Sequence, residues 1–175
     1  MVNFNNFFLG LVAAASSVSA IDVYFHVGWD CSGAATVCYG LNPGVCCTGN
    51  SQAVAYRGVP TNWNIDATGY SGGGCSAFNN IKYFRGDHWA CMGVVTRYTY
   101  TGSRYQFVNL RRGEEIQEQT NCTESVKPDT LLLADGVTKY DLTQLDDAKV
   151  AELVAIADKG VGPEEIPAEF HALRK

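Results

Sequence analysis

Six of the seven cysteines fall between Cys31 and Cys91, and two of them, Cys46 and Cys47, are adjacent. Adjacent cysteines rarely bond to each other, because the tight ring strains the peptide between them. Cys46 and Cys47 are therefore expected to tie one backbone point to two distant segments. Pro43-Gly44 in front of them suits a tight turn, since proline pre-sets φ and glycine accepts a positive φ. In an oxidising compartment Cys31, Cys38, Cys46, Cys47, Cys75 and Cys91 read as a framework of three bridges, leaving Cys122 over. Structural zinc sites use short C-x₂₋₄-C pairs. Here consecutive cysteines are separated by six, seven, zero, 27, 15 and 30 residues, which argues against a metal.

The compartment follows from the first residues. An apolar run from Phe7 to Ala15 leads to Val18-Ser19-Ala20, small residues where a signal peptidase reads. This predicts a signal peptide over 1–20 and a secreted, extracellular chain, although the start carries no Lys or Arg. The run is shorter than the roughly 20 residues of a spanning helix. No later stretch is long and apolar enough, so no membrane span is expected.

Composition breaks near Arg111-Arg112. From Ile21 to Leu110 five basic and four acidic residues leave +1, whereas the remainder holds eight basic and fourteen acidic residues. The first part also carries 13 of the 18 glycines and 15 of the 20 aromatics, and no Glu. Its stretches IDVYFHVGW, AVAYRGV, IKYFRG, WACMGVVTRYTY and SRYQFVNL are rich in β-branched and aromatic residues. Tyr100-Thr101-Gly102-Ser103 reads as a hairpin turn, and Gly69-Tyr70-Ser71-Gly72-Gly73-Gly74 as a separator between strands. In the second part Asp135-Gly136 marks a hairpin. Thr143 reads as the N-cap of a helix with Asp146 and Asp147 in its first turn, Leu145, Ala148, Ala151, Val154 and Ala157 at helical spacing, and Lys159-Gly160 at its end. The expected class is α+β. A small disulfide-stabilised antiparallel β-sandwich or barrel spans 21–125, and an acidic hairpin-helix segment spans 126–175.

Signals for chemistry are sparse. His26 and His88, with Asp87 or Asp22, are the only plausible acid–base set, and nothing in the sequence fixes them together. Gly72-Gly73-Gly74 lacks the pattern and flanking helix of a phosphate loop. A net charge of −5 argues against nucleic acid. Trp29, Trp63 and Trp89 have the flat faces that stack on sugars, though tryptophan is more often core. No cofactor is expected. Asn121-Cys122-Thr123 is an N-glycosylation acceptor. Arg111-Arg112 is a dibasic pair of the kind secretory proteases cut. Cleavage there would separate six cysteines from one. Left whole, the chain keeps Cys122 free, capped or paired with another chain, and the hairpin and helix pack on the sheet through Leu131, Leu133, Leu145 and Val154.

The spacing C-x₆-C-x₇-C-C at Cys31, Cys38, Cys46 and Cys47 resembles the opening of inhibitor cystine knots. That resemblance implies the pairs 31–47, 38–75 and 46–91. More broadly, the leader, size and cysteine layout resemble the small secreted cysteine-rich proteins of filamentous fungi, which act as effectors on a host or as toxins against competitors. The resemblance implies a secreted, effector-like interaction protein without catalytic activity, whose partner is an extracellular protein or glycan. An antimicrobial or killer-type toxin and a secreted hydrolase or ribonuclease remain the alternatives.

Overall fold

The computed structural model describes residues 20–93, 99–108 and 124–175. The expected signal peptide, Arg111, Arg112, Asn121 and Cys122 lie outside the described residues. The strands, in chain order, are β1 (Ile21–His26), β2 (Ala35–Leu41), β3 (Val45–Ser51), β4 (Ala53–Arg57), β5 (Asn64–Tyr70), β6 (Phe78–Arg85), β7 (Trp89–Gly93), β8 (Tyr100–Phe107), β9 (Glu124–Val126), β10 (Thr130–Leu132) and β11 (Lys139–Asp141). One helix follows, α1 (Asp147–Ala157), then two 3₁₀ turns, Pro163–Glu165 and Ala168–Leu173.

The strands form two sheets, so the molecule is an open sandwich and not a closed barrel. The first sheet runs β11-β10-β2-β1-β4-β7 and the second β6-β5-β8-β3-β9. With a single 11-residue α-helix among the described residues, the fold is β-rich rather than α+β. Among the described residues all strand pairings are antiparallel except β3 with β9, which is parallel. Side chains alternate across a strand, and the inward set closes the main core. Val23, Phe25, Val54, Tyr56 and Met92 of the first sheet meet Cys47, Ile65, Ala67, Phe84, Tyr100 and Tyr105 of the second. The Tyr56 hydroxyl joins the layers, lying 2.6 Å from Ser103 Oγ and donating to the Arg104 carbonyl at 2.8 Å.

Two stretches that read as turns contribute strand residues. Gly69 and Tyr70 continue β5, and Tyr100–Ser103 opens β8 as extended chain. The physical reason is close approach. A Cβ on Gly69 would enter the Tyr100 ring, and one on Gly102 would lie 2.5 Å from the Gly74 backbone. Residues 35–41 and 45–51, on either side of Pro43-Gly44, are β2 and β3. They lie in different sheets, so the turn carries the chain between layers.

The acidic segment is built into these layers. β10 pairs with β2 and β9 with β3. A second core gathers Leu131, Leu133, Tyr140, Leu153, Ile166 and Phe170, with Leu145 and Val154 half-buried against it. The hairpin at Asp135-Gly136 is present, with Gly136 at φ +71 and Asp135 holding the amides of Val137 and Thr138. The helix starts later than expected. Asp146, not Thr143, is the N-cap and accepts from the Lys149 amide at 2.8 Å. Thr143 is engaged instead by Asp141, to which both its amide and its hydroxyl donate. Gly160, at φ +73, receives the chain after the helix.

The six cysteines form Cys31–Cys91, Cys38–Cys47 and Cys46–Cys75. None of the pairs implied by the cystine-knot resemblance occurs. In β3, Cys47 points into the core and crosses to Cys38 of β2, while Cys46 reaches Cys75 in the connection before β6. The adjacent cysteines are therefore a junction, but one of the two segments they hold is nearby in sequence, nine residues away.

Candidate functional site

The expected acid–base residues are not assembled. His26 ends β1 with 2 % of its surface exposed. Arg57 donates from Nη2 to His26 Nε2 at 3.3 Å. Burial, and then the Arg57 cation, hold the imidazole below its ordinary pKa, so it is neutral near pH 7. His88 is exposed just before Trp89, whose register partner Arg57 faces Asp22 at the opposite end of β1. Four rungs, about 13 Å of strand, separate that end from His26. Asp87 pairs with Lys82 at 3.4 Å, and Asp22 accepts from the Gly40 amide at 3.0 Å. Among the described residues no group of three His, Cys, Asp or Glu side chains is placed to hold a metal.

The three tryptophans separate clearly. Trp63 is half-buried, edge-on to Phe107 at 4.9 Å. Trp29 and Trp89 are 67 % and 48 % exposed. Both belong to the outer face of the first sheet. Trp89 opens β7, where Ala90 and Met92 face the core and Trp89, Cys91 and Gly93 face out. The segment between β1 and β2 folds over that face, closed by Val27 and Ala34 and by Gly28 and Ser32. Cys31 fastens it to Cys91, with its backbone left-handed at φ +59, uncommon for a non-glycine residue. The Trp29 carbonyl rests against Gly93, where any Cβ would collide with it. The bridge thus sets Trp29 beside one end of β7 while Trp89 occupies the other.

Across the same face runs a row of cations on rings. The Arg57 guanidinium lies 4.6 Å above the Tyr24 ring, Tyr24 meets Tyr39 edge-on at 6.1 Å, and the Lys139 ammonium lies 4.9 Å from the Tyr39 ring. Burial, then Tyr39, push the Tyr24 hydroxyl well above the usual phenol range, and Tyr39 raises Lys139. The Tyr24 phenol is neutral and the Lys139 ammonium charged over the physiological range. Beneath the row is a tight layer of Ala35, Val37, Ala53 and Ala55. These small residues let the strapped segment lie close. Of this face the sequence singled out the tryptophans, Asp22, His26 and the bridge cysteines, but not the ring-held cations Arg57 and Lys139. Arg57 sits in AVAYRGV, where Val54 and Tyr56 face in. Strict alternation within that strand was the available signal for it. Lys139 carried none, because nothing in the sequence says that β11 joins the same sheet.

A separate cleft of about 1050 Å³ lies between β3 and α1, with Thr48 and Asn50 on one wall and Val150 and Val154 on the other.

No curated protein and no solved structure matches the chain. A family model described as an N-terminal domain, ARB_05566_N, matches residues 22–129, from β1 to the start of β10, and on that match over more than half of its length the chain belongs to the ARB_05566_N family.

Proposed function

We propose that this protein is a secreted, effector-like recognition module that binds an extracellular glycan and acts without turnover. The observation that carries the reading is the pair of exposed indoles, Trp29 and Trp89, held at the two ends of β7, with Arg57 in register with Trp89 and Lys139 on the far edge strand of the same sheet. An indole offers a broad apolar face with a polar edge. That suits the alternation of C–H faces and hydroxyls on a sugar ring. Arg57 and Lys139 supply fixed donors for hydroxyl or carboxylate oxygens, and Tyr24 and Tyr39 hold them by their rings. Three disulfides fit an oxidising compartment. Among the described residues no helix is long and apolar enough to cross a membrane. His26, buried, neutral and about 13 Å of strand from the end where His88 lies, supports recognition over acid–base catalysis.

Mature protein applied to an array of neutral and acidic cell-wall polysaccharides tests this. Retention on a subset of glycans, with no released sugar or cleaved RNA on prolonged incubation, is the expected result. Retention only by a protein ligand, or steady product release that His88→Ala abolishes, overturns it.

A further inference from the structure

The second sheet is unfinished on one side. β9 pairs with Val45–Cys47 of β3 and ends at Val126. The rest of β3, from Thr48 to Ser51, has β8 on its other side and no described strand continuing the line of β9. Thr48 Oγ1 donates to the Val126 carbonyl at 3.1 Å, at the point where β9 stops. The chain then turns away through Lys127-Pro128 to β10 in the opposite sheet.

Across the gap stands α1. Its Leu153 and Ala157 are buried in the second core. A different stripe, Val150, Ala151, Val154 and Ala155, lines the cleft. These positions share one helix face. Val150 and Val154 are half-buried against the second core and the two alanines exposed, so among the described residues the stripe is only partly covered. A cleft of about 1050 Å³ is at the upper end of the ligand-site range. Its charged rim is acidic. Asp129, Asp147 and Asp158 line it with one cation, Lys127, whose ammonium is held by both Asp147 oxygens at 2.6 and 2.8 Å.

We propose that this cleft docks an extended peptide segment of a partner protein. The segment adds to β3 as a strand in the line that β9 begins, packs apolar side chains on the valine stripe and extends basic ones to the acidic rim. Main-chain pairing at an open edge supplies affinity, and alternate side chains supply selectivity. The inference is independent of the glycan reading, because the cleft shares no residue with the tryptophan-bearing face.

The test uses mature protein and a fluorescein-labelled hexapeptide library of alternating valine and lysine or arginine, read by fluorescence polarisation. The expected result is saturable binding by library members with Kd below about 1 mM. Methylating alternate amide nitrogens of a binding member should weaken it about tenfold or more. Ala151→Trp, and independently Ala155→Trp, should do the same by filling the cleft from exposed positions. Amide exchange at 48–51 should slow on binding, and Trp29→Ala with Trp89→Ala should leave the peptide affinity unchanged. Absence of any binder in that range, equal affinity for the N-methylated peptide, or indifference to both tryptophan fillings overturns the proposal.

Discussion

Arg57 and His26 show how single residues set the chemistry of this surface. The guanidinium has only donors, so the imidazole nitrogen facing it must be an acceptor, which leaves the proton on Nδ1. Protonating Nε2 would break that contact and bury a second cation beside the first. The pKa of His26 is lowered on folding. The unfolded chain therefore takes up the proton first, near the ordinary imidazole value of about 6.5. Folded-state stability is full above that pH and is lost as pH falls through the lowered value. Thermal unfolding from pH 7.5 to 5 should show a falling midpoint below about pH 6.5, and His26→Phe should flatten that segment of the profile. Tyr56 is the corresponding link within the core. Tyr56→Phe removes the hydroxyl that joins β4 to β8 and should cost about 1–3 kcal/mol in urea unfolding. Gly69→Ala drives a methyl into the Tyr100 ring and should cost about 1–3 kcal/mol by overpacking.

At the scale of elements, the adjacent cysteines explain themselves once β3 is seen as a strand. Neighbouring side chains on a strand point to opposite faces. Cys47 therefore crosses to the other sheet, and Cys46 holds the connection before β6. The bridges span sequence separations of 60, 29 and 9 residues. Chain entropy assigns them about 4, 3.5 and 2.5 kcal/mol. Paired alanine replacements should thus destabilise in the order Cys31/Cys91, Cys46/Cys75, Cys38/Cys47 by denaturant midpoint. A larger loss for Cys38/Cys47 would show that its place in the core outweighs its short loop. The sequence marks β1, β4, β6, β7 and much of β8 by their β-branched and aromatic residues. It hides β2, β3 and β5, where glycine, asparagine, aspartate and small residues dilute the local signal. The glycines suit places where neighbours press close, as at Gly49, where a Cβ would come within 2.8 Å of the Phe25 ring. Strand propensity reports such packing more than backbone preference. The helix start was displaced for a local reason, since Asp141 captured the threonine that would have capped it.

Across the whole molecule, the charge and composition break near Arg111 does not coincide with the division between sheets. The first sheet takes β10 and β11 from the acidic segment, and the second takes β9. Composition records where a chain is charged, whereas sheet membership depends on pairings between residues far apart, such as Leu131 with Thr36. The candidate face was legible to the same limited extent. Trp29 and Trp89 stand out as residues, but that both flank β7 is visible only once Cys31 is joined to Cys91. The proposed sugar recognition rests on one surface, held in place by one bridge. Its most direct measurement is calorimetric titration of the best-retained polysaccharide fragment into the mature protein and into the Trp29→Ala, Trp89→Ala variant. The double variant should lose about tenfold or more in affinity with the unfolding temperature unchanged. Equal affinity in a folded double variant would contradict it.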